Sequence, residues 1–393
     1  MSEAKRIGSE VSIGIADAVK LCNVDAIAAY PITPQTHIVE HLADIVANGE
    51  LDAEYIPVES EHSAMSACIG TASVGARTFT ATASQGLALM AEIVYIASSM
   101  RFPIVMAVAN RALSAPISIW GDHGDAMMVR DAGWIQYFVE NGQEAYDMTV
   151  CSFRIAEDHR VMLPVMLNFD GFTLSHMIEP LIPMTQEQVT EFLPEYKPIY
   201  RLDPKDPVAM GPVGIPDIYP ETRKAHDEAL KDSYAVIKEV WKDFGDKHGR
   251  YYNPVEEYRC EDAETVILAM GGITETMRGG VDMLREAGKR VGLVRLRLWR
   301  PFPYEDVRNA LADKKTVIVF DRALSPGGQG GPVASEIKSA LYNLKDRPAV
   351  VSFIGALGGR DVRGKDIADW IEKGQAYADN GNIPNYEMVG IRE

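Results

Sequence analysis

The 393-residue chain carries 39 Lys+Arg against 56 Asp+Glu, a formal charge of −17 with His neutral, and 47% of its residues are hydrophobic. Acids in such excess, with no Lys/Arg run longer than a pair such as Lys314-Lys315, exclude nucleic acid as a partner, because phosphate-backbone binding needs clustered cations. The length predicts two or three domains, and the hydrophobic content supports packed cores rather than disorder.

The longest stretch free of charged residues, His62 to Ala76, falls short of the ~18 apolar residues of a membrane-spanning helix and is broken by Ser, Thr and Gly. Met1 to Arg6 lacks the apolar run of an export signal. The four cysteines, Cys22, Cys68, Cys151 and Cys260, are scattered and lie in apolar or helical contexts. Buried free thiols in a cytoplasmic compartment are expected, with no local thiolate cluster for an iron–sulfur centre.

From residue 10 to about 175, short β-branched runs alternate with helical patterns. Strands are expected at Ala26–Tyr30, Glu54–Val58, Arg77–Ala83, Pro103–Ala109 and Val161–Phe169. Helices are expected at Glu10–Cys22 and at Thr36–Ala47, where Ile38, Leu42 and Ile45 share a face. This alternation predicts βαβ units in a mostly parallel sheet. Between Pro180 and Pro220, which hold nine of the 22 prolines, an extended connection is expected. A charged helix over Glu221–Phe244 follows as a brace between domains. A second α/β unit begins near Ala263, with strands Thr265–Met270, Arg290–Leu298, Thr316–Phe320 and Ala349–Phe353, and helices Thr274–Ala287, Tyr304–Ala312 and Pro332–Leu344. The fold class is therefore α/β with two parallel-sheet domains, divided as 1–180, a 181–260 connection with its bracing helix, and 261–393.

Ligands of open parallel sheets bind where strands end and helices begin. Four such junctions carry unusual residues. Tyr30-Pro-Ile-Thr-Pro-Gln-Thr36 is stiffened by two prolines that present the Thr33 hydroxyl in a fixed direction, with Gln35 and Thr36 placed to cap the next helix; a rigid turn would read the same way. In Val58-Glu-Ser-Glu-His-Ser-Ala64, Glu61 heads a helix of small residues, where the helix dipole and burial pull a carboxyl in opposite directions. Such a helix admits a flat ring, though Glu is also an ordinary residue of a helix N-terminus. Thr80-Ala-Thr-Ala-Ser-Gln-Gly86 could offer backbone N–H groups to an anion, but lacks nucleotide-loop spacing. Arg111 closes an apolar strand, so its planar fork should emerge at the same edge and suit a carboxylate, unless Asp122 or Asp125 claims it. Asp122, His123 and Asp125 have no second ligand cluster, so no metal site is expected. Gly327-Gly-Gln-Gly-Gly331 reads as a turn rather than an anion nest.

Together these junctions resemble the α chains of the 2-oxoacid:ferredoxin oxidoreductases, in the pyruvate:ferredoxin oxidoreductase (pyruvate synthase) branch. The matching stretches are Tyr30-Pro-Ile-Thr-Pro34, Glu59-Ser-Glu-His-Ser63, Thr78-Phe-Thr-Ala-Thr-Ala-Ser-Gln-Gly86, Asn110-Arg-Ala-Leu-Ser-Ala-Pro116, Gly121-Asp-His123, Arg130-Asp-Ala-Gly-Trp-Ile-Gln136 and Phe169-Asp-Gly-Phe172. Arg300-Pro-Phe-Pro303 and Gly355-Ala-Leu-Gly-Gly-Arg-Asp361 extend the likeness to nearly the whole chain.

The resemblance implies a thiamine diphosphate domain of the pyrimidine-binding type over 1–180 and a transketolase C-terminal-like domain over 261–393. It implies that Glu61 works on the cofactor's aminopyrimidine, that Pro31, Ile32, Ser84, Gln85 and Gly86 line the cofactor, and that Arg111 and Thr33 hold the substrate's carboxylate and carbonyl oxygen. It implies the conversion of pyruvate and coenzyme A to acetyl-CoA and CO2 with reduction of ferredoxin, or the reverse. A neutral Thr33 suits pyruvate better than oxalate and excludes 2-oxoglutarate less firmly; the same chemistry on a dicarboxylic or branched-chain 2-oxoacid is the alternative within the class. Enzymes of this cofactor hold Mg2+ and diphosphate with a Gly-Asp-Gly motif, which this sequence lacks. A β chain should therefore bring the Mg2+ half-site and [4Fe–4S] clusters, with γ and δ chains by analogy. A non-catalytic nucleotide-binding scaffold is the alternative from another class.

Overall fold

The computed structural model describes residues 6–392, so all but the last residue of the Met1 to Arg6 segment lies outside it. In chain order the first half runs β1 (Ile7–Glu10), α1 (Val11–Leu21), β2 (Ala26–Ala29), α2 (Thr36–Ala47), β3 (Glu54–Pro57), α3 (Glu61–Ser73), β4 (Thr78–Thr82), α4 (Ser84–Ser99), β5 (Val105–Asn110), α5 (Gly124–Met128), β6 (Ile135–Phe138), α6 (Gly142–Glu157), β7 (Val165–Asp170), β8 (Ile178–Leu181) and α7 (Gln186–Phe192). After the long α8 (Tyr219–His248) come β9 (Val255–Tyr258), β10 (Thr265–Ala269), α9 (Ile273–Glu286), β11 (Val291–Leu296), β12 (Leu298–Arg300), α10 (Tyr304–Leu311), β13 (Thr316–Asp321), α11 (Pro332–Leu341), β14 (Ala349–Ile354), α12 (Gly364–Asn380) and β15 (Glu387–Met388).

Two α/β units result, as the alternating pattern predicted. One sheet of seven strands has the order β12-β6-β7-β5-β4-β2-β3, and one of six has the order β15-β14-β13-β10-β11-β9. The central strands are parallel and wholly buried, because their Val, Ile, Ala and Met side chains meet helices on both faces. Helix α2 forms over the predicted residues, with Ile38, Val39, Leu42 and Ile45 buried against the sheet. Among the described residues no helix is long and apolar enough to cross a membrane, and all four cysteines are buried and free.

Two expectations are corrected. The predicted strand Arg290–Leu298 divides: β11 stays in the six-stranded sheet, and β12 crosses to pair antiparallel with β6 at the edge of the other. Buried charge drives the crossing. Arg295 and Arg297 flank the bend, and both reach Glu144 on α6, Arg295 at 2.7 Å. A buried carboxylate at this depth needs such partners. Second, the connection after Pro180 is not wholly extended, since it contains α7. The Thr185 hydroxyl accepts the Gln188 N–H at 3.3 Å while the Gln188 side chain accepts the Thr185 N–H at 2.8 Å, a capping box that starts a helix inside a proline-rich stretch.

Helix α8 buries Val236, Ile237, Val240, Trp241 and Phe244 in the core under the seven-stranded sheet. Its Tyr234 hydroxyl bonds Asp306 on α10, and Lys238 lies 3.8 Å from the same carboxylate. It thus touches elements of both units.

Candidate active site

Strands β3, β2, β4 and β5 are parallel neighbours, so the loops that leave their C-terminal ends lie side by side. The residues that the resemblance assigns to cofactor and substrate sit on these loops. Pro31 and Thr33 are exposed after β2 and Ile32 is half-buried; Glu61 opens α3; Ser84, Gln85 and Gly86 open α4; Arg111 follows β5.

The fourth junction closes on the first. The Arg111 guanidinium donates through Nη1 to the Thr33 carbonyl at 2.8 Å and through Nε to the Ser118 carbonyl at 2.9 Å. Among the described residues no carboxylate lies within ion-pair distance of this guanidinium; Asp125 takes the Arg111 backbone N–H instead, at 3.0 Å. Asp122 is also engaged elsewhere, accepting from the backbone of Gly124 at 3.0 Å and of Gly358 at 3.1 Å. Burial lowers the Arg111 pKa and the nearby Asp125 raises it, but a guanidinium keeps its charge. An anchored cation with an uncommitted charge beside an exposed Thr33 is an arrangement that can receive a small carboxylate.

Gln35, expected to cap α2, makes no cap bond. Its Nε2 donates back to the Tyr30 carbonyl at 2.8 Å, which locks the Pro-Ile-Thr-Pro loop across its own base. Gln35 Oε1 is buried without a partner.

Glu61 is 6% exposed at the first turn of α3, while the preceding Ser60 caps the helix by accepting the Ser63 N–H at 3.2 Å. Among the described residues the Glu61 carboxyl has no hydrogen-bond partner. It leans on Gly86, where an added Cβ would stand 2.6 Å from Glu61 Oε1 and 2.5 Å from the Thr82 hydroxyl. Only glycine fits there. A carboxyl without a partner, walled by a bare backbone and a small-residue helix, fits one edge of an aminopyrimidine ring.

The turn after β4 has two of its N–H groups already taken, so it forms no full nest for an anion. Ser84 N–H is taken by Asp125 at 2.9 Å and Gly86 N–H by the Ala83 carbonyl at 2.9 Å, while the Ser84 hydroxyl bonds Gln85 Oε1 and the Ala112 carbonyl, each at 2.7 Å. Ser84 and Gln85 can therefore line a ligand by shape rather than by an N–H nest.

His123 is a buried hydrogen-bonder. Its Nε2 lies 3.1 Å from Asp170 Oδ1, its backbone N–H reaches the Arg322 carbonyl at 2.7 Å, and burial lowers its pKa. Asp170 also takes Arg322 and, at 2.8 Å, the Gly272 N–H, which joins the two units. Although burial pushes the Asp170 carboxyl up, Arg322 and His123 hold it well below the usual range. Among the described residues no group of three or more side chains could hold a metal. In the Gly327–Gly331 loop the following helix spends its first N–H groups on Asp321, from Val333 at 2.8 Å and Ala334 at 3.0 Å, which makes a turn and no open nest.

Sequence reasoning weighed Asp125 only as a partner for the Arg111 guanidinium and passed over Asp170 and Asp321 as structural anchors. The sequence signal is an acid at a strand end for Asp170 and Asp321 and in a first helical turn for Asp125, and neither says which backbone it will hold.

Family models describe the two parts of the chain. Residues 17–242 match the thiamine diphosphate-binding model of pyruvate flavodoxin/ferredoxin oxidoreductases, and residues 263–367 match core domain II of pyruvate:ferredoxin oxidoreductase. A pyruvate synthase subunit PorA of Methanocaldococcus jannaschii is 51% identical over 381 residues, 96% of each chain. A ketoisovalerate oxidoreductase subunit VorA of Pyrococcus horikoshii is 44% identical over 366 residues, 92% of this chain and 91% of that one. Among solved structures, a 2-oxoglutarate:ferredoxin oxidoreductase from Magnetococcus marinus, with 2-oxoglutarate, coenzyme A and succinyl-CoA bound, shares the fold at TM-score 0.72 and 19% identity, over 94% of this chain and 65% of that one.

Proposed function

The chain belongs to the pyruvate:ferredoxin oxidoreductase family, and from that premise we propose that it is the α subunit of a pyruvate synthase. The complex takes pyruvate and coenzyme A to acetyl-CoA and CO2 and passes the electron pair to ferredoxin, or runs in reverse. The observation that carries this reading is the Arg111 guanidinium, fastened to the Thr33 carbonyl at 2.8 Å with no carboxylate of its own among the described residues.

Arg111 receives the pyruvate carboxylate, and the Thr33 hydroxyl directs the carbonyl oxygen. Glu61 would hold the aminopyrimidine edge from a largely dry position, where its carboxyl could share a proton with it. Pro31 and Ile32 on one side, and Ser84, Gln85 and Gly86 on the other, shape the walls. Thiamine diphosphate, when bound, supplies the electron sink for the carbanion left by CO2 loss. The chain divides functionally into residues 1–180 for the pyrimidine half-site, 181–260 for connection and bracing, and 261–393 as a transketolase C-terminal-like module. Lacking a Gly-Asp-Gly motif and a cysteine cluster, it relies on a β subunit for Mg2+, diphosphate and [4Fe–4S] clusters, and on γ and δ subunits for coenzyme A and ferredoxin. The complex works in the cytoplasm, where its buried thiols stay reduced.

A second reading keeps the chemistry and changes the acid to a branched-chain 2-oxoacid, favoured by the 44% identity to a ketoisovalerate oxidoreductase subunit. Purification of the native complex, analysis for thiamine diphosphate, magnesium and iron, and a 2-oxoacid panel test both. Pyruvate is expected to show the highest kcat/KM; preference for 2-oxoisovalerate would select the second reading, and a preparation without thiamine would sink both.

A further inference from the structure

Asp125, in the first turn of α5, is completely buried, and its carboxylate is ringed by N–H donors from three parts of the chain. Oδ2 accepts the backbone N–H of Ser84 at 2.9 Å and of Arg111 at 3.0 Å. Oδ1 accepts the Asn110 side-chain amide at 2.9 Å and the Ala126 N–H at 2.7 Å. Four donors call for a group that only accepts, which an ionised carboxylate is. Burial pushes this carboxyl up and the N–H groups of Arg111, Asn110 and Ser84 pull it down, which leaves it at about 7.

The two residues on Oδ2 begin the two halves of the proposed site. Ser84 opens the turn whose Gly86 backs Glu61, and Arg111 is the carboxylate fork. Asp125 grips Arg111 by the main chain, so the guanidinium keeps its charge for a ligand. An acid bound to the guanidinium itself would have neutralised it.

We infer that Asp125 is a positioning residue that sets the distance between the Arg111 fork and the Ser84–Gly86 turn, and so between the pyruvate carboxylate and the wall behind Glu61. This rests on the roles proposed above for Arg111 and Glu61.

The test uses the intact complex. Asp125→Ala is expected to raise the pyruvate KM about 10- to 100-fold, the scale of a ~1 Å misplacement, and to leave the coenzyme A KM unchanged. Asp125→Asn should bring the pyruvate KM back to within about two- to tenfold of the parent, because its carbonyl can still take the Ser84 and Arg111 N–H groups. Asn110 Oδ1, buried without a partner, can turn to meet the new amide. A pyruvate KM within threefold of the parent in Asp125→Ala, or equal rises for pyruvate and coenzyme A, would overturn the inference. If the alanine variant does not assemble, Asp125→Ser, whose shorter hydroxyl cannot take both N–H groups, is read in its place, and a pyruvate KM within threefold of the parent there overturns the inference. Arg111→Lys in the same preparation separates the two levels: an unaltered pyruvate KM there removes the Arg111 assignment itself, and a raised KM there with a parental value in Asp125→Ala removes the Asp125 inference alone.

Discussion

The C-terminal edges of the two sheets are built from the same parts, a parallel strand, a glycine-bearing turn, a helix and a buried carboxylate, yet among the described residues they differ in how far their side chains are committed to partners. In the six-stranded sheet Asp321 accepts from Val333 and Ala334 and so occupies the head of α11. Gly331 permits this, since an added Cβ would meet Asp321 Cγ at 2.0 Å. In the seven-stranded sheet Asp125 likewise takes backbone N–H groups, but there the side chains of Arg111, Glu61 and Thr33 find no acidic or basic partner among the described residues. A reactive edge thus needs a satisfied backbone and uncommitted side chains. A structural edge satisfies both.

The comparison breaks first at Glu61. Glu61→Gln should leave the complex assembled and lower kcat by about 10²- to 10⁴-fold, the usual worth of a positioned acid–base group. Asp321→Asn, its counterpart on the closed edge, should leave kcat at the parental value; equal losses in both variants would erase the distinction. The junction between the edges comes next. Arg322→Met leaves Asp170 buried without its cation and should cost about 3–5 kcal/mol in chemical or thermal unfolding of the complex. An unchanged unfolding midpoint would show that the ion pair does not hold the two units together.

Arg111→Lys keeps the charge but loses the planar fork, and should lower kcat/KM for pyruvate about 10- to 100-fold. The ratio measured with saturating coenzyme A checks it. The smallest effects are in pH dependence, where the two junction acids should differ in sign. Asp170 is held below its unfolded value, so its contribution to stability is present above the ordinary carboxylate range of about 4 and is lost as pH falls through its folded pKa. Asp170→Asn should therefore flatten the acid limb of the stability curve. Burial raises Asp321 to about 7, so its contribution is full below about 4 and is lost as pH rises through 7. Asp321→Asn should remove that loss. Melting temperatures from pH 3 to 8 for parent and variants, about pH steps of one, would reveal whether the slopes differ in sign.

Much of this architecture was legible beforehand. Helix α2 follows from Ile38, Leu42 and Ile45 at helical spacing, and β4 and β5 from short apolar runs bounded by turn residues. The strand β6 was passed over because four residues, Ile135–Phe138, are too few for a period to show. Helix α7 carried a readable capping box that its proline-rich surroundings masked. Helix α12 could have been found from Ile367 and Ile371 on one face and the left-handed Gly381 that ends it. At the site, Glu61, Thr33 and Arg111 could be placed on one edge in advance, whereas the anchors Asp125, Asp170 and Asp321 could not.

By itself the sequence determined the α/β class, the sheet edge on which the candidate residues stand, and the absence of a Gly-Asp-Gly motif and a cysteine cluster. Those properties depend on local spacing and composition. Only the tertiary structure decided that β12 crosses between sheets, that Arg111 rests on Thr33, and that one carboxylate holds Ser84 and Arg111 together. Arg322 and Asp170 are 152 residues apart and Arg111 and Thr33 are 78. A buried polar group takes whichever partner the packed chain brings within about 3 Å, and no periodicity encodes which one that will be.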